Sequence, residues 1–200
     1  MCKKLVTFLV FSLYAPLAAF SADDPSRARL YIPVSTNATV TGCATCEIKA
    51  SGYSARYVFG FGLGLGVASS KASVSGDPDM PDYSYDSGPM IDIGYTFGSD
   101  FTFTLGIGVG SSPSSDLKFA DSGLSTDWKL EGKSASNTFL GLGYNLGSIE
   151  ILLALRSVSA TYDQSFKFLG VPVKSEVSPS WSTTDIGIGF TFWKDHPYYQ

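Results

Sequence analysis

Large apolar residues alternate with glycine over residues 57–67, which read YVFGFGLGLGV. Because side chains of an extended strand point alternately to opposite faces, this period of two predicts a strand with one apolar face and one nearly bare face. A helix would instead distribute the glycines around its circumference and lose stability at each of them. The same alternation recurs at FTFTLGIGVG, LGLGYNL and DIGIGFTF, so the pattern predicts a chain built from strands of this kind.

Six segments carry the alternation clearly, at residues 57–67, 89–97, 101–110, 137–146, 149–158 and 182–193. Long polar segments and short turns separate them in strict alternation, as in outer-membrane barrels with long outside loops and short periplasmic turns. Each segment has roughly the 9–11 residues that a tilted barrel strand needs to cross a bilayer. The pattern therefore predicts an all-β fold, an antiparallel up-and-down transmembrane β-barrel.

The strand count depends on the N-terminal part of the chain. Bacterial single-chain barrels have about eight strands or more, so we predict eight and place the missing pair at residues 29–34 and 47–53. A short turn at residues 52–54 would then lead into the regular barrel of residues 55–193, which makes residues 22–54 an N-terminal segment with the first hairpin. The alternative is a six-stranded unit that oligomerises, with residues 23–54 as a plug or a periplasmic arm.

The first residues predict export. Lys3 and Lys4 precede a short apolar run, and small residues including Ala19 and Ser21 follow, so residues 1–21 are interpreted as a cleaved signal peptide. The chain is 44% hydrophobic, contains no apolar stretch long enough for a helical span and has a net charge of −4. An acidic exported chain is a poor candidate for binding nucleic acid. We expect a location in the bacterial outer membrane, with a short tail at residues 194–200.

The aromatic residues are sorted along the predicted strands. They lie at the ends joined by short turns, whereas Leu, Ile and Val occupy the outward positions farther along. Such a girdle is typical of one membrane interface, and a soluble β-sandwich has no reason for it. The predicted girdle consists of Tyr57, Phe59, Phe97, Phe101, Tyr144, Phe190 and Phe192.

The signal peptide, the YVFGFGLGLG segment and the terminal DIGIGFTF at residues 185–192 resemble those of small outer-membrane β-barrel proteins of the OmpA-like and opacity-protein type. The resemblance covers residues 57–193, and its terminal segment is similar to a barrel-assembly signal. It implies the barrel-assembly machinery as a partner, together with outer-membrane lipids and lipopolysaccharide. The chain departs from the pattern at KDHPYYQ, which follows the position where such proteins often end.

Two sets of residues share the inward register of the predicted strands. The charged set, expected to form a network that fills the lumen, consists of Asp92, Glu150, Arg156 and Asp185, since inward polar groups must pair. The glycines either suit a very narrow barrel or leave a cavity for a lipid tail or a pore. They are Gly60, Gly62, Gly64, Gly106, Gly108, Gly141, Gly143, Gly187 and Gly189.

The remaining chemistry is sparse. Cys43 and Cys46 form a C-x-x-C pair that predicts a structural disulfide in an oxidising compartment. Zinc would require further ligands, so no metal and no cofactor are expected. His196 is the single histidine and follows the last predicted strand, where it cannot serve a Ser-His-acid site in the lumen.

Three functions are compatible with these residues. The first is a non-enzymatic outer-membrane barrel with a structural or surface-interaction role, whose long loops contact an unknown extracellular partner. The second is a narrow channel or a carrier of small lipids or hydrophobic ligands, based on the inward glycines. The third, disfavoured by the histidine count, is a lipid-modifying barrel enzyme.

Overall fold

The computed structural model describes residues 25–37, 47–75, 83–117, 129–168 and 171–192, and every regular element in these ranges is a β-strand. Within them, no helix is long and apolar enough to cross a membrane. The strands are β1 Ser26–Asn37, β2 Glu47–Val58, β3 Leu63–Ser75, β4 Tyr83–Asp86, β5 Met90–Phe97, β6 Phe101–Gly110, β7 Ser114–Leu117, β8 Lys129–Asn145, β9 Ile149–Phe168, β10 Val171–Val177 and β11 Ser180–Phe192.

Eight of these strands form a closed antiparallel ring, in the order β1, β2, β3, β5, β6, β8, β9 and β11. The last strand closes the ring by pairing with the first, from Ser26 opposite Phe192 to Asn37 opposite Ser182. Ring closure gives each of the eight strands two neighbours, as lipid requires, and β1 pairs with β2 over residues 27–31 and 54–58. The predicted eight-stranded barrel is confirmed, and the six-stranded alternative with an N-terminal plug is wrong. The barrel thus begins at Ser26 and not at residue 55.

The predicted strand at residues 57–67 is wrong, because it contains a turn. β2 ends at Val58, residues 59–62 turn, and β3 begins at Leu63. Gly62 adopts a φ of +91° there, a conformation that costs glycine little. The turn contains an even number of residues, so the outward positions keep the same alternation from Tyr57 at the end of β2 to Leu63 at the start of β3. The alternation in the sequence therefore does not reveal the turn.

The predicted turn at residues 52–54 is also wrong, because the chain continues as a strand there. These residues lie inside β2 and pair with residues 68–70 of β3. The other two short turns, at residues 98–100 and 146–148, lie where the sequence predicts them. Gly98 and Gly147 also have positive φ values, of 88° and 92°, so each short turn uses one glycine in a conformation that other residues rarely adopt.

The outer surface of the ring carries an apolar belt. On β9 the outward side chains are apolar from Ile149 to Leu155, and Leu155 is 55% exposed. Beyond Leu155 the outward residues are polar, beginning with Ser157. An exposed apolar band of this extent on a closed barrel is the surface that lipid covers. The belt defines the membrane-spanning part, with the short turns at one end.

Several strands continue past the belt at the end opposite the short turns. β8 has 17 residues and β9 has 20, far more than a membrane crossing requires. Their outward side chains here are polar or charged, and Lys133 Nζ on β8 lies 2.6 Å from Glu176 Oε2 on β10. Among the short strands, β4 pairs with the extension of β3 and with β7, and β10 pairs with the extension of β9. We refer to this part as the extramembrane rim.

The inner surface changes from polar to apolar at the level where the outer surface changes from apolar to polar. Inside the belt it is polar and charged, whereas inside the rim it is an apolar cluster of eight buried residues. Trp181 and Tyr162 are the largest side chains of that cluster. The lumen is therefore filled in two layers, a lower charged layer and an upper apolar layer.

Candidate functional site

The lower layer is organised around an ion pair that crosses the lumen from β1 to β9. Arg29 Nε donates to Glu150 Oε2 at 2.8 Å, and Arg29 Nη2 donates to Glu150 Oε1 at 2.6 Å. Both side chains are fully buried, at 1% and 0% exposure. A two-point arginine–carboxylate pair of this kind is geometrically specific. It ties together walls of the barrel that are not neighbours in the sheet.

Three threonine hydroxyls complete the shell of Arg29. Its guanidinium nitrogens donate to Thr104 Oγ1 at 2.6 Å, Thr102 Oγ1 at 2.9 Å and Thr96 Oγ1 at 3.2 Å. Thr102 also donates to Glu150 Oε1 at 2.6 Å. Because these acceptors come from β5 and β6, the buried guanidinium is bonded on nearly every side. A buried charge is tolerated when its hydrogen-bonding groups are satisfied in this way.

A second cluster surrounds Asp92 on β5. The carboxylate accepts from Asn137 Nδ2 at 2.8 Å, Arg56 Nη2 at 2.9 Å and Arg156 Nη1 at 3.3 Å. Arg156 Nε also donates to Asp185 Oδ2 at 3.1 Å. The predicted residues Asp92, Arg156 and Asp185 are thus brought together, whereas the predicted Glu150 belongs to the ion pair with Arg29.

An aromatic ring supports the second cluster. The guanidinium carbon of Arg56 lies 3.4 Å from the ring centroid of Phe139, and that of Arg156 lies 5.5 Å from it. Cations over an aromatic face are attracted by its quadrupole, more strongly when both are desolvated. Phe139 therefore compensates part of the cost of burying two arginines next to each other.

The sequence interpretation missed two of the three arginines of this site. Arg29 and Arg56 were not among the predicted lumen residues, nor were Asn137 and Phe139. A signal was present in β1, where Arg27, Arg29 and Tyr31 alternate with Ala28, Leu30 and Ile32. This alternation places two arginines on the inward face of a first strand.

The inward glycines make room for the charged layer. A Cβ at Gly108 would overlap the Asp92 carboxylate and the Asn137 amide, and one at Gly189 would lie 2.7 Å from Glu150 Oε2. A Cβ at Gly143 would lie 2.5 Å from Glu150 Oε1. Gly60 and Gly62 are exceptions, since they lie in the first short turn and not along a strand. Four of the nine predicted glycines, Gly64, Gly108, Gly143 and Gly189, thus face large polar side chains, which supports the narrow-barrel interpretation.

The upper layer closes the lumen inside the rim. Trp181 on β11 donates its indole N–H to Ser70 Oγ on β3 at 2.8 Å, across the barrel. The Tyr162 hydroxyl lies 3.0 Å from the carbonyl oxygens of Asp86 and of Ser114, on the short pair β4 and β7. Burial raises the pKa of the Tyr162 hydroxyl above its usual value. These bonds fix the rim strands over the apolar cluster.

Comparisons with known proteins identify the fold. No family model and no curated protein matches the chain. The crystal structure of the outer membrane protein OprG from Pseudomonas aeruginosa is similar, with a TM-score of 0.52, 16% identity, and coverage of 86% of this chain and 98% of that chain. The NMR structure of the outer membrane protein AlkL in lipid bilayers has a TM-score of 0.51, 13% identity, and coverage of 88% and 94%. The chain has the fold of these outer-membrane barrels.

The outer wall agrees with this fold and with the predicted location. The predicted girdle residues on the strands lie on the outer surface at the short-turn end, with Phe59 half-buried in the first turn, and the Phe101 and Tyr144 rings contact at a tilt with centroids 4.7 Å apart. An open cavity of about 830 Å³ lies farther along the barrel, lined by outward side chains such as Leu105, Leu140 and Leu155 and by inward residues that include Phe139 and Arg156. The belt, the girdle and the shared fold together indicate an outer-membrane barrel.

Three predicted features lie outside the described residues. They are the disulfide between Cys43 and Cys46, the signal peptide at residues 1–21 and the tail at residues 194–200 with His196. In the described ranges, no group of three or more His, Cys, Asp or Glu residues is placed to hold a metal ion.

The inward glycines are expected to differ in their tolerance of alanine. A Cβ at Gly106 would overlap the Phe139 ring and lie 2.8 Å from Ile93 O, so Gly106→Ala should lower the free energy of unfolding by about 1–3 kcal/mol. At Gly141 the nearest atom is Thr104 Cβ at 3.5 Å, an ordinary contact, so Gly141→Ala should be within about 1 kcal/mol of the parent. Urea unfolding in lipid vesicles measures both. Equal losses at the two positions would contradict this account.

Proposed function

We propose that this chain is a non-enzymatic outer-membrane barrel with a closed lumen, which acts through its extramembrane rim as a structural or surface-interaction protein. The observation that carries the proposal is the filling of the lumen in two layers. The lower layer joins β1 to β9 through Arg29 and Glu150 and reaches β6 through Thr104, and the upper layer joins β11 to β3 through Trp181 and Ser70.

The lower layer opposes passage because of its energetics. A solute would have to displace a buried ion pair, and removing one partner of such a pair costs about 3–5 kcal/mol. The second cluster adds a further barrier, since Arg56 and Arg156 share the Asp92 carboxylate. Both clusters lie at the level of the apolar belt, so an opening there would have to break them while the wall stays closed.

The rim supplies a surface for a partner. Lys133 is 54% exposed in its side chain and lies between the carboxylates of Asp163 and Glu176, which belong to β9 and β10. Lys129 and Glu131 form another exposed pair on β8. Loops and strand ends on a rigid scaffold are common binding surfaces. A polar partner with charges of both signs suits this arrangement.

The proposal assigns no catalytic role to the lumen acids. Asp92, Glu150 and Asp185 each accept hydrogen bonds from a buried arginine. A general acid or base must reach a substrate proton, and these carboxylates are enclosed by side chains of the barrel itself.

A carrier of small hydrophobic molecules is the second candidate, favoured by the apolar upper layer. This layer contains Met90, Val158 and four alanines, which could adapt to an apolar guest. A guest would have to displace Trp181 or Tyr162, both of which are held by hydrogen bonds to the opposite wall or the rim. An apolar fluorescent probe that binds the parent protein and not a Met90→Lys variant would favour this candidate.

Planar-bilayer recording tests the closed lumen. The parent protein should give no stepwise current, because either layer alone closes the lumen. Arg29→Ala/Glu150→Ala, which empties part of the lower layer, should also remain silent, and so should Trp181→Ala. A variant that combines all three changes with Arg56→Ala and Arg156→Ala, which removes the second cluster as well, should conduct. Discrete current steps from the folded parent protein, scaling with salt concentration, would contradict the proposal and favour a channel.

A further inference from the structure

A groove crosses the outer wall of the barrel between two rows of outward side chains. The lower row consists of leucines that pair across adjacent strands, Leu105 on β6 with Leu140 on β8, and Leu140 with Leu155 on β9. The upper row lies one outward position closer to the rim on the same strands. Residues of both rows line the open cavity of about 830 Å³.

The cavity opens to the outer side of the wall. Its inward lining residues, among them Gly106, Phe139 and Arg156, each lie between two outward lining residues of the same strand. The Phe139 ring packs on Arg56 inside the lumen, and Arg156 donates to Asp185 there. These residues therefore contribute their backbone to the floor of the groove. Among the described lining residues, none presents a charged group to it.

The upper row changes from apolar to hydroxyl-bearing along its length. On β5 and β6 it consists of Ile93 and Ile107, and on β8, β9 and β11 of Thr138, Ser157 and Ser182. Thr138 and Ser157 are exposed, and Ser182 is half-buried. Because adjacent strands lie about 4.8 Å apart, the row is about 19 Å long, and its three hydroxyls follow one another at about 5 Å.

The groove is inclined to the membrane. Ile93, at its apolar end, lies four residues from the girdle residue Phe97 on β5, whereas Ser182 lies ten residues from the girdle residue Phe192 on β11. Since each residue advances the strand by about 3.3 Å, the hydroxyl end is much closer to the rim than the apolar end. An amphiphile of the outer leaflet has the same orientation, with its chain toward the membrane centre.

One hydroxyl of the row lies at the depth of lipid chains. Thr138 pairs with Ile107 on β6, and the next outward residue of β6 toward the rim, Val109, is apolar and 64% exposed. The apolar surface therefore extends beyond the level of Thr138. At that depth a glycerophospholipid presents only methylene groups, which cannot replace the hydrogen bonds of a hydroxyl. A lipid with hydrogen-bonding groups on its acyl chain fits the row better.

The lining also restricts the chemistry of those groups. The groove continues the apolar belt, so its occupant comes from the membrane, and a floor without cationic groups does not select a phosphate. An acyl amide with a β-hydroxyl group offers uncharged donors and acceptors along the first part of its chain. Its hydroxyl lies two carbons from the amide carbonyl carbon, which is compatible with hydroxyls about 5 Å apart on adjacent strands.

We propose that this groove binds an outer-leaflet lipid through an amide-linked acyl chain that carries a β-hydroxyl group. The chain lies along Ile93, Ile107 and the leucine row, and its amide and hydroxyl groups bond to Thr138, Ser157 and Ser182. The site is on the outer wall, so its test does not depend on the closed lumen or on a partner of the rim.

Two uncharged lipids that differ in one hydroxyl test the proposal. N-(β-hydroxymyristoyl)glucosamine and N-myristoylglucosamine are titrated into the refolded barrel in detergent micelles, and the midpoint of thermal unfolding is measured. A lipid that binds only the folded state raises this midpoint. The hydroxylated lipid should reach half of its effect at an about fivefold lower concentration, the effect of one neutral hydrogen bond. Equal half-saturating concentrations would overturn the proposal.

Thr138→Val/Ser157→Ala/Ser182→Ala is the diagnostic variant, since it removes the three hydroxyls and leaves the groove open. It should bind the two lipids equally, with the half-saturating concentration of the hydroxylated lipid raised about tenfold or more. Heat-modifiable gel mobility checks that the variant folds. A preference for the hydroxylated lipid that persists in this folded variant would contradict the assigned site.

The matched control is Ser51→Ala/Ser69→Ala/Ser73→Ala, which removes three outward hydroxyls on β2 and β3 and should keep the preference of the parent. Ser157→Leu fills the groove and should weaken the binding of both lipids. Native mass spectra in which Ser157→Leu removes dimers and leaves the bound lipid unchanged would refute the proposal and assign the groove to a second copy of the chain.

Discussion

Glu150→Gln is expected to lower the free energy of unfolding by about 3–5 kcal/mol, because it leaves the Arg29 guanidinium buried without a counter-charge. Glu150 accepts from Arg29 through both carboxylate oxygens and is 0% exposed, so neither water nor a side-chain rearrangement can easily replace it. Gly143 and Gly189 lie beside it, where an added Cβ would be 2.5 Å and 2.7 Å from its carboxylate oxygens. Urea unfolding of the refolded barrel in lipid vesicles measures the loss.

The control for this result removes both charges. Arg29→Met/Glu150→Leu replaces the pair by apolar side chains of similar length, which is often neutral or stabilising in protein interiors. We therefore expect the double variant to be more stable than Glu150→Gln. If Glu150→Gln unfolds at the same urea concentration as the parent protein, the ion pair does not organise the lower layer and the proposed closed lumen loses its main support.

Leu105→Arg is expected to destabilise the barrel by roughly 2–4 kcal/mol, the usual cost of an arginine on the lipid face at the midplane. Leu105 is 47% exposed, lies in the middle of β6 and is flanked across the sheet by Tyr95 and Leu140. Both neighbours point to the same face, so the new charge would enter the centre of the apolar belt. Unfolding in vesicles and heat-modifiable gel mobility report the stability and the folded fraction.

The matched control is Ser136→Arg, an outward and exposed position on β8 at the upper edge of the belt. Near the interface an arginine costs only about 0–1 kcal/mol. Equal effects at Leu105 and Ser136 would mean that the belt does not end where the outward residues change from apolar to polar. The boundary between the membrane and the rim would then have to move toward the rim.

The strands that cross the membrane could be predicted closely, and their extensions could not. Residues 149–158 alternate between apolar and other side chains because one face meets lipid, and this contrast gives a clear period of two. In the rest of β9 the outward side chains are polar and the contrast fades, although the strand continues to Phe168. The alternation thus shows where lipid contacts the outer face, and it does not mark the full length of the strand.

The candidate site was predicted in part, for a related reason. Asp92, Glu150, Arg156 and Asp185 were recognised as inward because they occupy the inward positions of a strong apolar alternation. Arg29 and Arg56 lie in β1 and β2, where Pro33 and polar outward residues weaken the pattern, so their register was not evident. Their partners are far away in the chain, with a sequence separation of 121 between Arg29 and Glu150, and no local pattern encodes that pairing.

The sequence by itself determined the class of fold, its antiparallel order and the apolar outer face, because each of these follows from local alternation and from turn lengths. Tertiary structure decided where the first turn lies, since a turn with an even number of residues preserves the alternation on both sides. It also decided which charges pair, which glycines make room for them, and that the interior becomes apolar where the exterior becomes polar. Those features depend on ring closure, which brings strands from opposite ends of the chain to face each other across a narrow lumen.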